Sequence, residues 1–270
     1  MTTKNYLSIY AKSFNWSGFF LPKKIYYKCS VLYDFCRTID NIADQNKDLE
    51  IKKKELEEFR KKFEQKNKND SVIKNMWHLM SERNISKKIV DDLFDGVNSD
   101  LKNEVRIETE KELLIYSYRV AGTVGLMMAK IFGVKKKESL QRAIDLGIAM
   151  QLTNIARDVV EDEKNNRVYL IKSSNDVFKS IENIILKADS FYDSSFEGIR
   201  DIPLNSRFSI IVARRVYRQI WKKILDKKDI QNYRRSGKIY VSKLGKVIKT
   251  IFSLKDLIIL FFLKKKKYKK

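Results

Sequence analysis

The sequence predicts an all-α protein folded as one domain, and two observations support this prediction. The 270 residues include two prolines and nine glycines, too few for the turns that sandwiches, barrels and propellers need about every 8–12 residues. Nearly every segment also repeats apolar residues at the spacing of an amphipathic helix. With 43% hydrophobic residues, the chain can form a large core, and no internal repeat or flexible linker divides it.

The first half of the chain contains five predicted helices. Leu21-Pro22 breaks the pattern after a short first helix, and the proline suits the first turn of a long helix that ends near Asp44. The next segment is highly charged but keeps its apolar residues on one face, and two shorter amphipathic segments follow it. The expected helices are 4–14, 22–44, 48–66, 71–82 and 86–98.

The second half contains four longer predicted helices. The first of them runs to Phe132 and stops at Gly133, a residue type that favours the C-terminal end of a helix. The stretch KNNRVYL at 164–170 interrupts the helical pattern, and Pro203 begins the last helix. The expected helices are 111–132, 136–162, 174–198 and 204–228.

Cysteine usage and the absence of targeting features predict a cytoplasmic protein. Cys29 and Cys36 share a predicted helix but lie too far apart along its axis to form a disulfide, so we expect free thiols in a reducing compartment. The N-terminus has no apolar run of signal-peptide length. No stretch reaches the roughly 18 apolar residues of a transmembrane helix.

Acidic residues form a polar ridge on the predicted helix at 22–44. Asp40 and Asp44 are four residues apart and lie on one face, and Tyr33 and Arg37 extend the same ridge. Like charges at this spacing are mildly destabilising unless a cation lies between them. A surface helix with solvated carboxylates is the alternative, but this helix has few polar positions that could face water.

The predicted helix at 136–162 repeats this design. Gln151, Asn154, Asp158 and Asp162 share one face, and the residues around them are almost all apolar. A helix that is apolar nearly all round is buried, so these polar groups need partners. A buried ion pair would suffice for one such helix, whereas two facing carboxylate pairs favour a hard cation held through oxygen.

Arginines beside both acidic segments indicate the class of ligand. Arg37, Arg157 and Arg167 can bind phosphate oxygens in a bidentate manner. Mg²⁺ prefers one or two carboxylates together with substrate phosphates. No GxxxxGK[ST] loop is present, which argues against a nucleoside triphosphatase. The combination predicts a diphosphate that is held for departure from its substrate.

The motifs resemble those of the phytoene and squalene synthase family, the head-to-head prenyl transferases. YDFCRTIDNIAD at 33–44 matches the first aspartate motif, QLTNIARDVVED at 151–162 the second, and YSYRVAGTVGLMM at 116–128 the segment that lines the substrate tunnel. The second aspartate motif and the tunnel segment are more similar to those of phytoene synthases than to those of squalene synthases. The resemblance implies an isoprenoid-synthase helical bundle with a central substrate cavity over 1–245, followed by a basic and apolar tail at 246–270.

The resemblance also implies the reaction: two molecules of geranylgeranyl diphosphate condense to phytoene through a cyclopropyl diphosphate, a step of carotenoid biosynthesis. Phytoene forms by proton loss, so NADPH is not expected, whereas Mg²⁺ or Mn²⁺ is. The resemblance implies three sets of site residues. The catalytic residues are Tyr33, Asp40, Asp44, Asp158 and Asp162, and the metal ligands are Asp40, Asp44, Asn154, Asp158 and Asp162. The substrate-binding residues are Arg37, Tyr116, Gly122, Gln151, Asn154, Arg157, Arg167 and Tyr217.

Several of these positions have a second interpretation. Gly122 either gives the prenyl chain a smooth groove or lets two helices pack closely. The rings of Tyr33, Tyr116 and Tyr217 either face carbocations or belong to the core. Asn41 replaces the middle aspartate of the family's DDxxD pattern, and Lys238 stands where the family often has Arg.

The net charge of +22 is concentrated near the C-terminus. Residues 221–270 contain 17 Lys and Arg against 3 Asp and Glu. Within them, the apolar run Leu257–Leu263 precedes six lysines in the last seven residues. A short apolar anchor beside a polybasic cluster is typical of a protein bound peripherally to a membrane surface, and a frayed terminus without a role is the alternative.

Three other functions compete with phytoene synthesis. A squalene or presqualene diphosphate synthase would use the same fold on farnesyl diphosphate. A basic helical nucleic-acid-binding protein would explain the charge, but inward-facing acids would repel phosphate unless a metal intervened, so no nucleic-acid partner is expected. A non-catalytic assembly subunit of the same family would not need intact acid pairs.

Overall fold

The computed structural model describes residues 12–171 and 176–262, where helices follow one another as the sequence predicts and two short strands lie between them. The predicted helix at 4–14 lies mostly outside the described residues. In the first half the helices are α1 (Lys12–Gly18), α2 (Lys23–Asp44), α3 (Leu49–Glu64), α4 (Ser71–Arg83) and α5 (Lys87–Asn98). In the second half they are α6 (Glu110–Ser117), α7 (Thr123–Ile131), α8 (Lys137–Lys164), α9 (Val177–Gly198), α10 (Leu204–Leu225), α11 (Ile230–Arg235) and α12 (Lys243–Phe262).

Polar side chains and prolines set the starts of the helices. Asp48 and Asp70 accept hydrogen bonds from backbone N–H groups in the first turns of α3 and α4, which satisfies donors that the helix itself cannot. Thr109 and Glu112 form a capping box at α6. Pro22 occupies the residue just before α2, so the break in the pattern gave the helix start correctly.

The predicted helix at 111–132 is interrupted in the structure. A π-helical turn at Tyr118–Gly122 separates α6 from α7, and such single wide turns occur mostly inside α-helices. The turn lies where α5 approaches closely, since a Cβ atom at Gly96 would come within 2.8 Å of Arg119 Cβ. Apolar periodicity does not distinguish five residues of π-helix from α-helix.

The stretch that breaks the helical pattern after α8 forms half of a parallel strand pair. β1 (Val105–Arg106) pairs with β2 (Arg167–Val168), with Val105 opposite Arg167. The pair fixes the chain that follows α8 against the chain that follows α5. Arg167 is thereby held at the end of α8, close to the second acidic segment.

Two clusters of buried side chains form the core. In the first, Phe35, Phe63 and Phe94 pack with ring centroids 5.3–5.9 Å apart. The second joins α8, α9 and α10, and there the hydroxyl of buried Tyr192 lies 3.1 Å from Thr153 Oγ1. α8 packs against α7, α9 and α10, so its acidic face is held from several sides.

Glycines allow α7, the π-helical turn and α8 to pack at very short range. A Cβ atom at Gly147 would lie 2.2 Å from the carbonyl oxygen of Ala121, and one at Gly125 would lie 2.3 Å from that of Ala143. At Gly122 the added atom would lie 3.1 Å from Ile144 and from Tyr118. Gly122 therefore takes part in close packing and is not among the residues that line the central cavity, and its contact with a prenyl chain stays a prediction.

The chain after α10 continues in two helices that the sequence analysis did not predict. α12 spans the boundary between residues 245 and 246, at which the sequence predicts the division between body and tail. Asp256 of α12 accepts two hydrogen bonds from Arg215 of α10, and Trp16 Nε1 donates to Thr250 Oγ1 at 3.0 Å. Among the described helices, none is both long and apolar enough to cross a bilayer.

The close packing around Gly147 gives a stability prediction. Replacing Gly147 with Ala should lower the free energy of unfolding by about 2 kcal/mol, because the overlap with a backbone oxygen outweighs the better helix propensity of Ala. Thermal unfolding followed by circular dichroism measures the change. Gly245→Ala is the matched control, because its neighbours are side-chain atoms at 3.0 and 3.2 Å, and its effect should stay within about 0.5 kcal/mol.

Candidate active site

A long cavity runs between α2, α7, α8 and α10. It is open to solvent at one end, and its lining is mostly apolar. The last residues of α2 and α8 that line it are Asp40 and Asn154, so the cavity follows both helices towards their acidic segments. Tyr33, Gln151 and Tyr217 also line it. The site is therefore an apolar channel with a polar end.

The first acidic pair lies at this polar end. Burial, reinforced by the charge of Asp44, raises the pKa of Asp40 to about 7, and the neighbouring Arg37 offsets part of this effect. Asp44 is half exposed and accepts a hydrogen bond from Arg167 Nη1 at 3.5 Å. Asp40 therefore lies in the lining of the cavity, whereas Asp44, one helical turn further on, is more exposed and contacts Arg167.

Neighbouring cations balance the charges of the second acidic pair, Asp158 and Asp162, unequally. Asp158 accepts hydrogen bonds from Arg157 at 2.8 and 2.5 Å, and Lys238 Nζ lies 3.5 Å from the same carboxylate. Burial and the charge of Asp158 instead raise the pKa of Asp162 to about 7. In this conformation Arg157 pairs with a carboxylate of its own helix.

Asp100 connects the two pairs, and sequence reasoning missed it. It follows α5 in a loop, and its charge helps to raise the pKa of both Asp40 and Asp162. Arg167 acts on Asp44 and lowers the pKa of Asp162 in part. These shared influences show that α2, α8 and two loops bring their charges to one site. No periodic pattern marks Asp100, so the sequence carries no signal that would have identified it.

Two tyrosines hold Asp100 in place. Tyr116 Oη donates to Asp100 Oδ2 at 3.0 Å, and Tyr169 Oη donates to Asp100 Oδ1 at 2.7 Å. Their rings stack with centroids 4.8 Å apart. Burial and the charge of Asp100 raise the pKa of Tyr116 well above its usual range. Tyr116 is therefore part of the acidic cluster, and a contact of its ring with carbocations stays a prediction.

Tyr33 and Tyr217 line the cavity itself. Burial raises the pKa of Tyr33 to about 12 and also raises that of Tyr217, which is offset in part by the guanidinium of Arg157. Both phenols are therefore protonated at neutral pH. Both residues line the channel as neutral phenols, and a contact of their rings with carbocations stays a prediction.

The polar end fits a hard divalent cation. The buried Oδ1 of Asn154 has no hydrogen-bond partner, and the raised pKa values of Asp40 and Asp162 mark negative charge that the local arginines do not balance. Within residues 12–171 and 176–262, no three His, Cys, Asp or Glu side chains form a ready metal site. The oxygens thus suit an ion that takes its remaining ligands from a diphosphate.

Comparison with known proteins now gives the family. The family model for squalene/phytoene synthases matches residues 8–173. The chain belongs to this family. It is 38% identical to a 15-cis-phytoene synthase from Enterobacter agglomerans, over 46% of this chain and 48% of that protein, so it spans about half the length of that relative. It is 29% identical to a 15-cis-phytoene synthase from Pantoea ananas over 81% and 80% of the two chains.

Solved structures agree with the squalene/phytoene synthase assignment and confirm the predicted fold. A ligand-bound dehydrosqualene synthase superposes with a TM-score of 0.77 and 26% identity, covering 94% of each chain. A squalene synthase from Alicyclobacillus acidocaldarius, at 17% identity, shows the same fold with a TM-score of 0.72 over 84% of this chain and 91% of that one. Members of the family are prenyl transferases that generally depend on a divalent metal.

The raised pKa values predict how pH affects the metal-free protein. The unfolded chain releases the protons of Asp40 and Asp162 near pH 4, whereas the folded protein holds them to about pH 7. Stability from these groups is therefore lost as the pH rises between these values. Urea unfolding in a chelator should show that Asp40→Asn raises the free energy of unfolding at pH 8 by on the order of 1 kcal/mol and has little effect at pH 4. The exposed Asp226→Asn variant should show no such pH-dependent gain, and an equal gain there would contradict the assignment.

Proposed function

We propose that this protein condenses two molecules of geranylgeranyl diphosphate head to head to phytoene, through a cyclopropyl (prephytoene) diphosphate, in carotenoid biosynthesis. One observation carries the proposal: a long apolar cavity leads to a cluster of carboxylates and arginines. A prenyl diphosphate has the same division between a long apolar chain and a charged head. The 15-cis-phytoene synthases among the relatives favour the geranylgeranyl substrate.

The chain's own residues bind the diphosphate of the substrate and shield its prenyl chain from water. Arg37 and Arg167 offer positive charge where diphosphate charge develops, which stabilises departure of the leaving group. The apolar lining contributed by α2, α7 and α8 keeps water away from the allylic cation, so that the double bond of the second molecule attacks it instead. Tyr33 and Tyr217 remain neutral beside this path.

The divalent metal, Mg²⁺ or Mn²⁺, would be held by oxygen ligands at the polar end. We propose as its ligands Asp40, Asp44, Asn154, Asp158 and Asp162. When bound, it supplies Lewis-acid stabilisation of the diphosphate. Gln151 Oε1 accepts a hydrogen bond from Asn154 Nδ2 at 3.4 Å, which turns Asn154 Oδ1 away from Gln151. This contact supports a positioning role for Gln151.

A second candidate function shares the site. The dehydrosqualene synthase that superposes over 94% of both chains favours condensation of farnesyl diphosphate, and a squalene or presqualene diphosphate synthase would need the same polar end. The cavity volume does not distinguish the two chain lengths. Product identity does, because two geranylgeranyl units give a longer product than two farnesyl units, and squalene in addition requires hydride from NADPH.

The product assay separates these candidates. The full chain is incubated with geranylgeranyl or farnesyl diphosphate and Mg²⁺, with and without NADPH, and the hydrocarbon is identified by mass. We expect phytoene from geranylgeranyl diphosphate, with no effect of NADPH. Turnover of farnesyl diphosphate alone would replace the proposal with the second candidate, and no turnover of either would favour a non-catalytic subunit.

The acidic pairs give the sharpest test of the site. Asp44→Ala and Asp158→Ala should each lower kcat by at least about a hundredfold, because each removes charge that holds the metal and the diphosphate. Helical content measured by circular dichroism should stay near that of the unsubstituted protein. Asp226→Ala removes an exposed carboxylate at the end of α10 and should retain full activity. Normal turnover in either site variant would overturn the metal assignment.

The expected location, cytoplasmic with peripheral membrane contact, is also part of this proposal. The lysine-rich end at 264–270 lies outside the described residues, and so does Leu263, the last residue of the predicted apolar anchor. A hydrocarbon product that is insoluble in water supports release at a membrane.

A further inference from the structure

α12 is an amphipathic helix with its polar side turned towards the protein. Of the residues that it buries, Lys246, Ser253 and Asp256 are polar and one, Leu260, is apolar. Ten of its 20 residues are large, apolar and exposed, including Leu244 at 70% and Phe262 at 82% exposure. A surface helix of a globular protein normally shows the reverse arrangement.

The exposed residues form one continuous stripe. At 100° per residue, Leu244, Ile251, Ile258 and Phe262 fall within one arc of the helix, and Lys255 is the one charged residue in the middle of it. Helix α12 is about 30 Å long, and a continuous exposed apolar patch on this scale marks an interaction surface. A long lysine side chain can lie along such a surface with its charge at the edge.

A cluster of positive charge borders this stripe. Arg215, Arg218 and Lys222 of α10 and Lys249 of α12 line one cleft. The two arginines pair with Asp256 and with aspartates of α9, whereas neither lysine has a carboxylate partner among the residues that the structure describes. Burial, reinforced by the charges of Lys222 and Arg215, lowers the pKa of Lys249. The cleft therefore holds an excess of positive charge.

We propose that α12 lies in the surface of an anionic membrane, with its apolar stripe among the acyl chains and Lys222 and Lys249 on lipid phosphates. An in-plane helix with an apolar face and cationic edges is the form that membrane-surface helices take. A second copy of this chain would place the same cations against one another, which disfavours self-association through this stripe. The lysines that follow α12 in the sequence add to the attraction for an anionic surface.

Vesicle flotation of the full-length protein tests the proposal. Vesicles of phosphatidylcholine alone are compared with vesicles that also contain phosphatidylglycerol. The variant Ile251→Gln/Ile258→Gln should bind both kinds at least about tenfold more weakly than the unsubstituted protein. Leu186→Gln, an equally exposed apolar residue on α9 (65% exposed), is the matched control and should bind normally.

The positive charges are tested separately. Lys222→Gln/Lys249→Gln should weaken binding to the anionic vesicles by about thirtyfold, since each lysine near anionic lipid contributes about 1 kcal/mol, and should change binding to phosphatidylcholine little. Lys54→Gln/Lys62→Gln on α3 removes the same charge from a different helix and should have less than about a threefold effect. Equal losses in the two double variants would show that net charge alone matters and would overturn the assignment to the cleft.

Two further outcomes would overturn the proposal. A chain ending at Phe262 could lose all vesicle binding while the Ile251→Gln/Ile258→Gln variant keeps it. That result would assign the membrane contact to the lysine-rich end. Light scattering could show that the protein is a dimer and that Ile251→Gln/Ile258→Gln makes it a monomer without changing vesicle binding. That result would mean that the apolar stripe contacts a second copy of the chain. Failure of prenyl transfer is seen independently, as loss of product in detergent solution without vesicles.

Discussion

Repulsion among carboxylates at one end of an apolar cavity is the constraint on which the rest of this structure depends. Burial raises the pKa values of Asp40 and Asp162 to about 7, so the site is short of positive charge. An arrangement of this kind is unfavourable for folding alone, because buried carboxylates need partners. Such a site suits the proposed function, because a divalent cation supplies the missing positive charge and binds the diphosphate at the same time.

The surrounding fold keeps these charges close in spite of their repulsion. α8 is fixed from several sides by α7, α9 and α10, and backbone contact at Gly147 leaves it little room to move away. The parallel strand pair holds Arg167 at the end of α8, where it reaches Asp44 on α2. Packing energy distributed over two core clusters thus offsets a local electrostatic cost at the site.

The sequence predicted what depends on periodicity. Asp40 with Asp44 and Asp158 with Asp162 were identified because spacing on a helix determines which side chains share a face. Asp100 was not identified, because it comes from a loop whose position depends on the strand pair and on two tyrosine hydroxyls. The role of Gly122 was open for a similar reason, since a groove and a close packing contact require the same residue and differ only in which helix lies opposite.

α12 also shows what apolar periodicity cannot predict. Its apolar periodicity is strong, yet the side that packs on the protein is the polar one, held by Arg215 to Asp256 and by Trp16 to Thr250. Periodicity states that a helix has an apolar face and not what that face contacts. Trp16 also belongs to α1, whose last residues Ser17 and Gly18 line the cavity. The helix with the outward apolar stripe is therefore joined, through one short segment, to the wall of the channel in which we propose that a hydrocarbon forms.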